Sequence, residues 1–91
     1  MVDCVTTQRI SGIINAANPY QVWLAHITSC APTAAVEAAK LGLSGAWVTI
    51  LKRADGRFYI LAKGKANFIL EVALTQADAE EICKVMGWNI E

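Results

Sequence analysis

The stretch AWVTILKRADGRFYILAKGKANFILEVAL, residues 46–74, decides the fold. It holds three apolar runs separated by two tight-turn signals, Asp55-Gly56 and Gly64-Lys65. Both residues of an Asp-Gly pair tolerate positive φ, which a two-residue hairpin turn requires, and a glycine in first place suits the mirror-type turn. The segment therefore reads as a three-stranded antiparallel meander. Two-residue turns would pair Ala54 with Arg57, Leu51 with Ile60 and Ile50 with Leu61, then Lys63 with Ala66, Leu61 with Phe68 and Tyr59 with Leu70.

Alternation along a strand then assigns two faces. One carries Val48, Ile50, Tyr59, Leu61, Phe68, Leu70 and Val72 and is the expected core. The other carries Trp47, Thr49, Leu51, Arg53, Phe58, Ile60, Asn67, Ile69 and Glu71. Large apolar side chains stand on both, so the second face needs a cover. A one-residue slip in the second turn would swap the faces of the third strand.

The flanking segments read as helices. Ile10, Ile13, Ile14 and Ala17 recur at helical spacing within residues 5–17, with Gly12 weakening the element and Asn18-Pro19 ending it. Asn18 suits an N-cap, Pro19 a first helical position and Gln21 the reciprocal place of a capping box, which opens a helix over 19–29. Tyr20, Trp23, Leu24 and Ile27 share its face. The rival reading is a strand, because Tyr20, Val22, Leu24 and His26 also alternate. Pro32 begins a third helix, 32–42, rich in alanine and left through Gly42 and Gly45.

The last helix starts at Thr75, with Asp78 in the reciprocal position. It buries Ala79, Ile82, Cys83 and Met86, pairs Glu80 with Lys84 on the opposite side, and stops at Gly87, where Trp88 folds back on Cys83. The expected architecture is one α+β domain over residues 1–91, a three-stranded antiparallel β-meander with helices packed on it, in the order α-α-α-β-β-β-α.

Composition bounds the function. Fifty-five per cent of the residues are hydrophobic and 18% charged, more apolar and less charged than usual. A chain this small has little room to hide that surface, so self-association or a partner is expected. Eight basic and eight acidic residues cancel, which removes the long-range attraction that drives binding to nucleic acid or anionic membranes. Cys4, Cys30 and Cys83 are too few and too scattered for a disulfide framework and are expected as free thiols. Cys4, near the chain start, is the most exposed of them. There is no basic-then-apolar leader and no apolar run of membrane-spanning length, so a cytoplasmic location is expected.

Candidate chemistry is sparse. His26 and Cys30 stand four apart on one helical face, a spacing that suits two metal ligands or a thiol-imidazole pair. No other histidine exists to complete a metal set, and the bland reading is a polar pair at a helix end. Cys83 reads as a small buried hydrophobe. Asp55, Asp78, Glu80 and Glu81 all have structural explanations in a turn, a cap and a solvated helix face. Gly42-Leu43-Ser44-Gly45 lacks the lysine and hydroxyl of a phosphate loop. No enzyme activity, cofactor or metal is expected.

Two family likenesses concern element order. Residues 32–86, read as helix, three antiparallel strands and helix, resemble the double-stranded-RNA-binding domain. That family sets a lysine cluster at the start of its last helix to grip phosphates. Leu74-Thr75-Gln76-Ala77-Asp78 stands there in this chain, so the resemblance implies the topology without the basic contact. Residues 20–63 are similar to the SPOR domain, a peptidoglycan-glycan binder, if Tyr20-Gln21-Val22-Trp23 is a strand, 34–41 the helix and 46–62 the hairpin. An extra strand at 66–73 and the missing export signal depart from that pattern.

The leading expectation is a small protein-protein interaction or regulatory module, a homodimer, with Trp47, Leu51, Phe58, Ile60 and Ile69 as the contact surface. The alternatives are nucleic-acid binding through phosphate contacts at Lys52, Arg53, Arg57, Lys63 and Lys65, and a SPOR-like glycan binder.

Overall fold

Three helices precede three strands, and a helix and a short strand follow, in the order α1 (Thr7–Ile14), α2 (Pro19–Cys30), α3 (Ala35–Leu41), β1 (Trp47–Lys52), β2 (Phe58–Ala62), β3 (Ile69–Ala73), α4 (Gln76–Met86), β4 (Asn89–Ile90). These come from a computed structural model that describes residues 7–65 and 68–91. The expectations for Cys4, for the start of the first helix, and for Ala66 and Asn67 lie outside those residues. The α+β class stands, but the sheet has four strands in the order β3-β2-β1-β4.

The strand absent from the expected meander is β4, which runs parallel to β1 and sets Trp47 opposite Asn89 and Val48 opposite Ile90. Its cause lies at the end of α4. Gly87 takes the left-handed conformation at φ 74°, and Trp88 N then donates to Cys83 O at 2.8 Å. That turn aims the chain back along β1, where Asn89 N reaches Ala46 O and Glu91 N reaches Val48 O. Two residues are too short to show alternation in a sequence.

The helix starts follow their caps. Asn18 Oδ1 accepts from Gln21 N at 3.3 Å, with Pro19 in the first turn of α2. The strand reading of 20–26 is thereby corrected, and with it the element order that a SPOR domain requires. Thr75 Oγ1 accepts from Asp78 N at 3.1 Å. The third helix begins later than Pro32, because Ala34 N and Ala35 N bond to Ala31 O and Pro32 O in a tighter turn first. Ala17 lies beyond the end of α1.

The register of the meander differs from the expected one by a residue. Val48 pairs with Ala62, Ile50 with Ile60 and Lys52 with Phe58. The loop holds three residues, not two: Gly56 N bonds to Arg53 O at 2.9 Å, and Arg53 N bonds to Arg57 O at 3.0 Å. A type I turn followed by Gly56 at φ 81° makes the three-residue hairpin. Asp55 stabilises it by accepting from Arg57 N at 2.9 Å, which a two-residue turn would not need. On the other side, β2 and β3 pair Tyr59 with Val72, Ile60 with Glu71 and Leu61 with Ile69, with a bulge at Ile60/Leu61. The bulge turns both Leu70 and Glu71 inward, at 1% and 2% exposure.

A one-residue slip exchanges faces. Ile60 and Ala62 are therefore core residues beside Val48, with Phe58 partly buried against them. Tyr59, Leu61 and Val72, expected inside, pair across the opposite face. The core face is covered by α4, on which α1 and α2 pack in turn.

Trp23 is the centre of that core. It is fully buried, its Nε1 donates to Leu70 O at 2.8 Å, and it meets Trp88 edge-on at 5.3 Å between ring centroids. Trp88 Nε1 in turn donates to Gly42 O at 2.8 Å. Gly42 lies so close to the Trp23 ring that a Cβ there has no space. Trp88 thus folds back as expected but packs its ring edge-on against Trp23. Tyr20 closes the other side of Trp23 and donates to Ala39 O at 2.9 Å.

The cysteines diverge. Cys83 is free and buried, and burial pushes its thiol up to about 12. A thiol reacts as thiolate, so folded protein at pH 8 is expected to leave Cys83 unmodified by a disulfide reagent such as DTNB, and urea-unfolded protein to react at once. Rapid labelling of Cys83 in the native state would refute its burial. Cys30, expected as a free thiol, is disulfide-bonded. Disulfides persist in oxidising compartments, so this bond removes one support from the expected cytoplasmic location.

Candidate functional site: the open face of the sheet

Among the described helices α4 makes the extensive contacts with the sheet, and the side opposite it is bordered along β3 by the α2–α3 corner, where Ile27, Ala34 and Ala38 line a shallow hollow with Ile69 and Val72. Pairing arranges that side in three rows. Lys63, Trp47 and Asn89 form the first. Ile69, Leu61 and Thr49 form the second, and Val72, Tyr59 and Leu51 the third. Trp47 is 53% exposed, Leu51 45% and Ile69 38%, around a central Leu61 at 8%. Isolated exposed apolar residues are ordinary; a contiguous set on a rigid sheet marks an interaction surface.

Charge is confined to the rim, in pairs of opposite sign. Lys63 Nζ lies 3.3 Å from Glu91 Oε1 and 5.8 Å from the Trp47 ring centre. At the other end the Arg53 guanidinium stacks 4.3 Å over the Tyr59 ring. The Tyr59 hydroxyl donates to Asp55 Oδ2. That hydrogen bond, with the one from Arg57 N, holds the Asp55 carboxyl below the usual aspartate range and raises the Tyr59 phenol above its own. The contact is complete between the ordinary aspartate and ordinary tyrosine ranges, and is lost as pH falls through the lowered Asp55 value or rises through the raised Tyr59 value. Tyr59 is thus fixed in place, an aromatic anchor that has little side-chain freedom to lose on binding.

Of the five residues expected to form the contact surface, Trp47, Leu51 and Ile69 lie together on this face. Ile60 does not, being fully buried in the core, and Phe58 is partly buried on the core side with Lys52 near its ring. Tyr59, Leu61 and Val72 take their places. The signal for them was present: glycine as the third residue of Ala54-Asp55-Gly56 also fits a type I turn with a left-handed third position.

The five basic residues are divided, not clustered. Lys52, Arg53 and Arg57 flank the β1–β2 loop, and Lys63 and Lys65 the β2–β3 loop at the opposite end of β2. Lys65 Nζ is held by Glu37 Oε1 at 2.6 Å, an ion pair that lowers the Glu37 carboxyl below its usual range. Single phosphate-gripping patch and aromatic platform therefore do not coincide. The first turn of α4 carries Asp78, without the basic residues that the double-stranded-RNA-binding domain uses there.

The His26–Cys30 pair is not a thiol-imidazole pair, since Cys30 is in a disulfide. Among the described residues no His, Cys, Asp or Glu group is placed to hold a metal ion, and no helix is long and apolar enough to cross a membrane. Comparison with known protein families, curated proteins and solved structures found no match to this chain.

Proposed function

We propose that this chain is a non-enzymatic protein-binding module whose contact surface is the open face of its sheet. One observation carries the reading: Trp47, Leu51 and Ile69 are large, apolar and substantially exposed around Leu61 on the sheet face opposite Ile60 and Ala62. Apolar side chains with aromatic anchors and a paired-charge rim suit a protein surface. A single strand of nucleic acid needs aromatic platforms edged by unopposed cations, and here Lys63 and Lys65 face carboxylates.

Trp47 supplies the test, because Trp23 and Trp88 are buried. Iodide quenching of tryptophan emission is expected to act on Trp47 alone and to vanish in Trp47→Phe. Panning a random peptide library on sparsely immobilised protein is expected to enrich aromatic and aliphatic peptides that shield Trp47 and fail to bind Leu51→Lys/Ile69→Lys. Single- and double-stranded oligonucleotides at low salt are expected to leave the emission unchanged. Peptides that bind the double variant equally well, or an oligonucleotide-induced change at Trp47, would overturn the reading.

A further inference from the structure

We infer that the occupant of the open face is a second copy of the same chain, packed sheet against sheet about a two-fold axis. This rests on the protein-binding reading above and names the partner.

Three observations favour a copy over another protein or a nucleic acid. First, the rim carries both signs close together, Lys63 beside Glu91 and Arg53 beside the Asp55–Tyr59 pair. A two-fold axis presents the same patch to itself, so each sign can find its opposite on the partner. Second, the formal net charge is zero, and two copies approach without long-range repulsion. Third, the sheet edges discourage sideways pairing. In the edge strand β3, Leu70 O is taken by Trp23 Nε1 and Val72 N by Glu71 Oε1, while the opposite edge, β4, is two residues long. Edge groups already occupied resist strand addition, which leaves the face as the route of association.

The size of the face sets the strength. Strands about 4.8 Å apart and about five residues long project to roughly 300 Å², below the ~800 Å² per partner of standard interfaces even with side-chain relief and rim loops added. The dimer is therefore weak, with dissociation in the micromolar range, and its two sheets stack about 10 Å apart.

The test is sedimentation equilibrium of the full chain over about 1 to 200 µM, a range that brackets a micromolar dimer, with Trp47 quenching followed in parallel. The expected result is a mass that rises from monomer to dimer, with iodide access to Trp47 falling over the same range. Leu51→Lys/Ile69→Lys is expected to raise the dissociation constant at least about a hundredfold, since both face residues are replaced by like charges, with the circular dichroism of the native fold retained. Lys63→Glu gives a face with two acids, and Glu91→Lys a face with two bases. Each alone is expected to be monomeric, and an equal mixture of the two to dimerise.

A wild-type monomer across the whole range would overturn the inference while leaving the binding reading to the peptide screen. A dimer that persists in the double-lysine variant would overturn it by placing the contact elsewhere. Oligonucleotides that shield Trp47 at low salt would overturn both.

Discussion

The Trp23→Ala variant is expected to be largely unfolded without denaturant. Trp23 is fully buried and touches every layer of the core: Tyr20 in its own helix, Trp88 after α4, Gly42 at the end of α3 and the Leu70 carbonyl in β3. Deleting a buried tryptophan costs about 3–5 kcal/mol in lost burial and cavity. Stranding the Leu70 carbonyl adds about 1–3 kcal/mol. A domain of this size has about 5–10 kcal/mol in total, so the two losses rival the whole.

Trp23→Phe separates the contributions. It keeps a six-membered ring in the core and removes the five-membered ring with its N–H, so a smaller loss of about 2–3 kcal/mol is expected from a small cavity and the unpaired Leu70 carbonyl. Urea denaturation followed by far-ultraviolet circular dichroism measures both variants. An alanine variant within about 1 kcal/mol of wild type, a loss typical of any single substitution, would show that Trp23 does not join the layers.

The second large effect tests the register. Ile60→Ser is expected to cost about 3–5 kcal/mol, because Ile60 is fully buried and the change combines a cavity with an unpartnered hydroxyl. Leu51→Ser, on the neighbouring strand but 45% exposed, is expected to cost under about 1 kcal/mol. The two-residue turn that the sequence suggests would place Ile60 beside Leu51 on the outer face, and both substitutions would then be mild. Equal, small losses would show that the true register is the one with Ile60 outside. The same pair separates fold from function: Leu51→Ser is expected to weaken association with the fold intact, and Ile60→Ser to lose both together.

Local chemistry made much of this molecule legible. Asn18, Pro19 and Gln21 mark the start of α2, and Thr75 and Asp78 that of α4, because a cap is a contact between residues three apart. The buried stripe Ala79, Ile82, Cys83 and Met86 follows from the helical period alone. The three strands follow from their apolar runs and the glycines between them, and the surplus of apolar surface follows from composition.

What stayed hidden depends on contacts distant in sequence. Asp55-Gly56 is compatible with a two- or a three-residue loop, and the choice between them inverts every side chain of β2. The Asp55 side chain, which accepts from both Arg57 N and the Tyr59 hydroxyl, favours the longer loop, and burial of Ile60 and Ala62 against α4 completes the selection. The bulge at Leu70 is equally invisible, since it exists only where β3 meets β2 and the Trp23 indole. β4 follows from the left-handed turn at Gly87 and the free edge of β1.

From its sequence alone, then, the chain is an α+β domain with a meander, capped helices and more apolar surface than one core can use, because caps, periods and composition are local properties. Which of the two sheet faces is core, and therefore which side chains are left to meet a partner, was decided only when the helices packed. The pleat offers both faces equally until Trp23 and α4 bury one of them.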